Sequence, residues 1–270
     1  MKRISILGLF VFLSCIIISC SEDDITPPEF KDKLIEISSV TSQDGEVIVK
    51  LFSEKSSLTV GYNTLYYDIK NKSGETLRNV QMEVSPLMQM NTGMQHSAPY
   101  YETVFDQSID LYAGSVVFVM PSTAGEWSLQ VSLDGSTSLE MPVNIVMPDE
   151  SRLLSFQHEG ESYFLSLVQP TAPDVGINDF VLTIHKRASM MDWPPVDDFE
   201  ISIEPEMPMM GHGSPNNVDP ESQGNGFYAG KVNFTMDGYW KVNMELMKNG
   251  NPVDADLAFD ITFSVNQNPQ

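Results

Sequence analysis

The chain has 270 residues, with 37 acidic against 15 basic side chains and a formal net charge of −22. That balance opposes binding to nucleic acid or to an anionic membrane face, since both are polyanions, and it favours solubility and the attraction of cations. The only cysteines are Cys15 and Cys20, so beyond residue 20 there is no disulfide, no thiolate metal site and no thiol nucleophile.

Met1-Lys2-Arg3 precedes an apolar run from Ile4 to Ile18 and then Ser19-Cys20. A basic start, a short apolar segment and a small residue describe an export leader over residues 1–19, not a membrane span. The cysteine directly after the small residue resembles the lipobox of bacterial lipoproteins, with Ile17 where leucine is usual. That resemblance implies cleavage before Cys20, acylation of Cys20 and a lipid anchor to a membrane. Loss of Lys2 and Arg3 with the leader makes the chain two units more negative. Ser21-Glu22-Asp23-Asp24 follows at once. It resembles the signal that carries Bacteroidetes lipoproteins to the cell surface, which implies an outer-membrane protein facing outward, with the periplasmic face as second choice. As a plain acidic run it is a solvated tether. Ile25 to Phe30, with Pro27 and Pro28, reads as a stiff linker, and residues 20–32 together make the tether.

Beyond the linker, short runs alternate with period two. Leu65 to Ile69, Val80 to Val84, Leu129 to Leu133, Phe180 to Ile184, Phe199 to Ile203 and Phe259 to Phe263 all read as strands. Asn71-Lys72-Ser73-Gly74, Leu133-Asp134-Gly135-Ser136 and Lys248-Asn249-Gly250-Asn251 read as turns. No amphipathic helix of three turns is apparent. The expected fold is therefore all-β, with two tandem immunoglobulin-like antiparallel β-sandwich domains over residues 33–148 and 149–266. Met147-Pro148-Asp149-Glu150 is the candidate join.

Two domains are expected because the landmarks repeat in order. Val60-Gly61-Tyr62-Asn63 resembles Val175-Gly176-Ile177-Asn178. Tyr112-Ala113-Gly114, Phe118, Met120, Gly125 and Trp127 resemble Tyr228-Ala229-Gly230, Phe234, Met236, Gly238 and Trp240. Matched landmarks in matched order mark a duplication.

The repeat also contains a cluster of unusual composition. Residues 86–96 hold Met88, Met90, Met94 and His96, and residues 205–212 hold Met207, Met209, Met210 and His212. Each cluster starts at a proline, and each histidine stands sixteen positions before the tyrosine of Tyr-Ala-Gly. Thioether sulfur and imidazole nitrogen suit a soft or borderline metal, above all Cu(I). In extended chain, residues two apart share a side, so Met88 with Met90, Met94 with His96, Met207 with Met209 and Met210 with His212 are expected pairs. The surrounding Pro, Gly, Asn, Gln and Ser place all eight in loops. Cu(II) or Ag(I) would suit the same donors, and the set is poor for structural zinc. A soft Met-rich surface for a protein partner and simple core packing are the alternatives.

Met82, Met141, Met244 and Met247 lie in or beside apolar strands and read as core filler. Met120 and Met236 read as packing beside the tryptophans, and the two Gly-x-Trp pairs as core anchors. Met190, Met191 and Trp193 form a soft patch in a turn at the opposite end of the second domain, not a ligand set. His158 has no sulfur neighbours, and His185, at a strand end, reads as a surface or rim histidine. The enzyme signs are missing: no Gly-rich phosphate loop, no Gly-x-Ser-x-Gly, no His-Glu-x-x-His. The chain is not expected to be an enzyme.

The second cluster, Tyr228-Ala229-Gly230 and the Gly-x-Trp landmark together make residues 175–263 resemble a YtkA-like or FixH-like domain. The first half is a more divergent copy, with Gln89 where the second has Pro208 and three more residues before Met94. The resemblance implies an exported β-sandwich associated with copper trafficking or cytochrome oxidase assembly. The function expected is capture, buffering or hand-over of Cu(I), with a protein partner in uptake or assembly. The rival is an adhesin-like surface lipoprotein whose Met-rich loops dock protein or glycan.

Overall fold

The computed structural model describes residues 28–265, where, besides strands, there is one helical turn at Pro28–Lys31 and one 3-10 turn at Ser122–Ala124. The strands make two antiparallel sandwiches. In the first, a sheet ordered Ile35–Thr41, Val47–Ser53, Gly61–Asn71, Leu111–Phe118, Tyr100–Asp106 faces one ordered Thr137–Val143, Gly125–Leu133, Met82–Met90, Gln95–His96. In the second, the order is Leu153–His158, Glu161–Gln169, Gly176–Lys186, Phe227–Phe234, Val218–Gly224. Facing it are Leu257–Phe263, Gly238–Lys248, Phe199–Met207 and His212–Gly213. Position for position, the strand order of the two sandwiches is the same.

Period-two alternation produces the cores. Leu65, Tyr67 and Ile69 pack in one cluster with Leu129, Val131 and Leu133, while Phe180, Leu182 and Ile184 pack with Val242, Met244 and Leu246. The two clusters share no residue. Trp127 and Trp240 are fully buried, one in each core, as their Gly-x-Trp setting suggests. Met82, Met141 and Met244 are core, but Met247 is exposed. Met247 alternates with Met244 and Leu246, so the pleat turns it outward with Glu245.

The repeated landmarks have matching jobs. The Asn63 amide donates to the carbonyls of Thr59 and Gly61 and accepts from the Thr59 N–H. Asn178 does the same with Asp174 and Gly176. The Tyr112 hydroxyl accepts from Val80 N–H at 2.9 Å, and the Tyr228 hydroxyl accepts from Phe199 N–H at 3.1 Å. Each tyrosine thus ties down the approach to the strand that carries its Met cluster. The glycine two positions later admits the edge strand. A Cβ on Gly114 would lie 2.3 Å from Thr103 Oγ1, and one on Gly230 would lie 2.3 Å from the Val218 carbonyl oxygen.

The sandwiches meet. Tyr62 and Tyr101 of the first pack on Phe227 of the second, and Tyr101 meets His185 edge to face at 5.6 Å. Ser97 N–H donates to the Met190 carbonyl at 2.8 Å. This contact corrects the reading of His185 as a rim residue. Leu182 and Ile184 face their own core, while Thr183 and His185 face outward and are buried by the neighbouring sandwich. Burial lowers the His185 pKa to about 4, against a smaller opposing effect of Asp197.

Candidate metal centre

The strands Met82–Met90 and Phe199–Met207 run further than their prolines suggested, and Pro86 and Pro205 sit within them. Each strand is flanked on its outer side only by a two-residue partner, so it is an edge strand for most of its length, where a missing N–H is tolerated. The return segment bonds to the proline carbonyl in both halves. Ser97 Oγ donates to Pro86 O at 2.9 Å, and Ser214 N–H donates to Pro205 O at 3.2 Å.

This extension moves three of the eight expected ligands, Met88, Met90 and Met207, out of the loops. Met88 and Met207 are core residues, buried with their respective tryptophans. Met90 is half-buried at the end of its strand, and Met94 is exposed in the turn that follows. In the second half the strand stops at Met207. Pro208 opens a turn closed by the Met210 and Gly211 N–H groups donating to Met207 O, so Met209 does not continue the pleat. Met209 is 90% exposed and Met210 57%. The expected same-face pair of Met207 with Met209 is therefore absent: one lies inside and the other at the turn tip. Met94 and His96 are also separated, the first in solvent and the second 1% exposed.

What the fold does bring together is a different pair. Met88 lies directly opposite His96 in the strand register, and Met207 directly opposite His212. Directly opposed residues share a face and hold their Cβ atoms about 5 Å apart. Each pair is walled by its tryptophan: the His96 and Trp127 rings are 5.1 Å apart, the His212 and Trp240 rings 6.3 Å. The indole N–H of each tryptophan donates to the carbonyl of Met120 or Met236, which fixes the ring. The Gly-x-Trp glycines leave the room. A Cβ on Gly125 would lie 2.4 Å from the Gln89 carbonyl oxygen, and one on Gly238 would lie 3.0 Å from Met207 Cε.

His96 has the electronic arrangement of a ligand. Its Nδ1 is 2.8 Å from the Ser97 carbonyl oxygen. A carbonyl cannot donate, so Nδ1 of the neutral ring carries the hydrogen and Nε2 is left with its lone pair. That Nε2 is buried and has no hydrogen-bond partner. A backbone carbonyl on one ring nitrogen is the usual means of aiming the other at a metal. Among the described residues no three His, Cys, Asp or Glu side chains converge, so any metal centre here depends on thioethers. A cleft of 690 Å3 along Met82–Ser85 and Thr103–Phe105 includes none of the eight.

The Ser97 carbonyl beside His96 Nδ1 and the walling role of Trp127 and Trp240 were not read from the sequence. The sixteen-residue spacing fixes neither, and the Gly-x-Trp repeat marked the tryptophans only as core anchors.

The family model described as YtkA-like matches residues 157–245, which takes in the second cluster, Tyr228 and Trp240. No curated protein matches the chain. Among solved structures the chain is similar to FdeC, an adhesin of Escherichia coli, at 15% identity and a TM-score of 0.28. The match covers 80% of this chain and 64% of that one.

Proposed function

We propose that the protein is an extracytoplasmic, Cys20-anchored lipoprotein of the outer membrane that binds Cu(I) at two Met/His centres and hands it to a partner. The two halves are read as divergent copies of one YtkA-like, FixH-like unit, which the shared strand order and the shared Asn and Tyr hydrogen bonds support. The leader and lipobox fall outside the described residues, and the anchor rests on the sequence there.

The observation that carries the copper reading is the buried, unpartnered Nε2 of His96 across from Met88. A buried lone pair without a donor costs about 1–3 kcal/mol, which a soft cation would relieve. In the second half, Met207 and His212 form the same pair, and exposed Met209 and Met210 add thioethers where an ion arrives. Thioether and imidazole match Cu(I) better than a hard cation, and the acidic surface raises local cation concentration.

Cu(I) titration of the chain from Ser21 onward, against a competing chelator, tests this. Uptake of up to two equivalents is expected, with one lost in His96→Ala and one in His212→Ala. No uptake would overturn the copper reading and leave the Met-rich turns as docking surfaces.

A further inference from the structure

The two copies of the cluster differ in burial, and local sequence explains only part of the difference. His96, Ser97, Ala98 and Pro99 are all buried, whereas His212 and Ser214 are only half-buried and Gly213 and Pro215 are exposed. Both segments are short edge strands leaving the same place in the same fold. Ala98, where the second copy has Ser214, packs in the first core, but Ser97 beside it has a cover from outside its own sandwich. That cover is the turn Ala188–Asp192 of the second sandwich, whose Met190 carbonyl accepts the Ser97 N–H.

The turn is a preformed cap. Its own bonds hold it: Ala188 and Ser189 N–H groups donate to Asp192 O, Met191 N–H donates to Ser189 Oγ, and Lys186 N–H donates to Pro194 O. Tyr101, four residues past Ser97, anchors the same contact against His185 and Phe227. The contact is also poorly satisfied. Tyr101 OH, Thr183 Oγ1 and His185 Nδ1 are buried there without partners, although Tyr101 and Thr183 come close to bonding each other. Buried polar atoms of this kind regain water when a contact opens, which lowers the cost of opening.

We infer that the two Met/His centres are unequal: the His212 centre is open for capture, and the His96 centre is a holding site closed by the second sandwich. Ions at His212 exchange directly with solution and with partners, while an ion at His96 leaves only when the Ala188–Asp192 cap swings off Ser97. This rests on the copper reading above and adds the order of release. It also gives Met190 and Met191, exposed thioethers on the cap, a place on the exit path.

The test is transfer of Cu(I) from the fully loaded chain, from Ser21 onward, to a competing chelator by stopped flow. Two phases are expected, at least tenfold apart. His212→Ala removes the fast phase and His96→Ala the slow one. Loosening the contact with Tyr101→Ala and Phe227→Ala together brings the slow phase to within twofold of the fast one. Equal release from both centres, or a slow phase indifferent to the loosened contact, overturns the inference. Failure to load any copper is seen before release is measured, and it removes the copper reading and this inference together. For a double variant that does not fold, hydrogen exchange on the unaltered chain decides: the Ser97 amide must be strongly protected, and exchange at a free loop rate overturns the cap.

Discussion

Acid should open the contact between the sandwiches, and His185 sets the window. Its pKa is near 4 in the closed structure, against 6.5 for a free imidazole, because burial against Tyr101 disfavours the charged ring. The opened form therefore binds the proton more readily. The contribution of a neutral His185 to the contact is complete above pH 6.5 and is lost as the pH falls from 6.5 to about 4. Below that both forms are protonated and nothing further is lost. A difference of this size amounts to about 3 kcal/mol at most, or a few-hundred-fold in the closing equilibrium. Mass-spectrometric hydrogen exchange of the Ser97 amide, corrected for the intrinsic pH dependence of exchange, reads that equilibrium. Protection should fall steeply between pH 6.5 and 4 in the unaltered chain and stay level in His185→Gln. The same pH course in both proteins would refute the reasoning.

Other consequences follow from the same geometry. Gly230→Ala puts a methyl group against the Val218 carbonyl, which is backbone and cannot step aside, so a loss of about 3 kcal/mol in urea unfolding is expected. Gly114→Ala meets the Thr103 side chain instead and should cost less, with Thr103→Ala restoring part of the difference. Tyr228→Phe leaves the Phe199 N–H and the Val196 carbonyl without their partner and should destabilise the second sandwich by about 1–3 kcal/mol in the same assay. Cys20→Ser in the full-length chain, expressed with its leader, should abolish partition into the detergent phase while leaving Cu(I) uptake unchanged.

The sheets were legible because burial on one face writes period two into the chain, as in Leu129 to Leu133 or Phe180 to Ile184. The shared topology was legible because residues with fixed duties recur: Asn63 and Asn178 at a strand entry, Tyr112 and Tyr228 across the sandwich. The clusters were read less well. Pro86 and Pro205 looked like loop signals, yet an edge strand tolerates them, and that put Met88 and Met207 in the core. The opposed Met and His pairs depend on the reach of each turn, which residue type does not reveal. The burial of His185 and the bond to Ser97 were invisible for a further reason. Both come from the contact between the sandwiches, and no local pattern in either half encodes that contact.

X-ray absorption at the copper edge addresses the proposed chemistry most directly. Chain loaded with one to two equivalents of Cu(I) should show a first shell of mixed nitrogen and sulfur, with the nitrogen contribution reduced in His96→Ala and in His212→Ala. A shell of oxygen and nitrogen alone, or one unchanged by losing either histidine, would contradict the assignment of these Met/His pairs as the copper ligands.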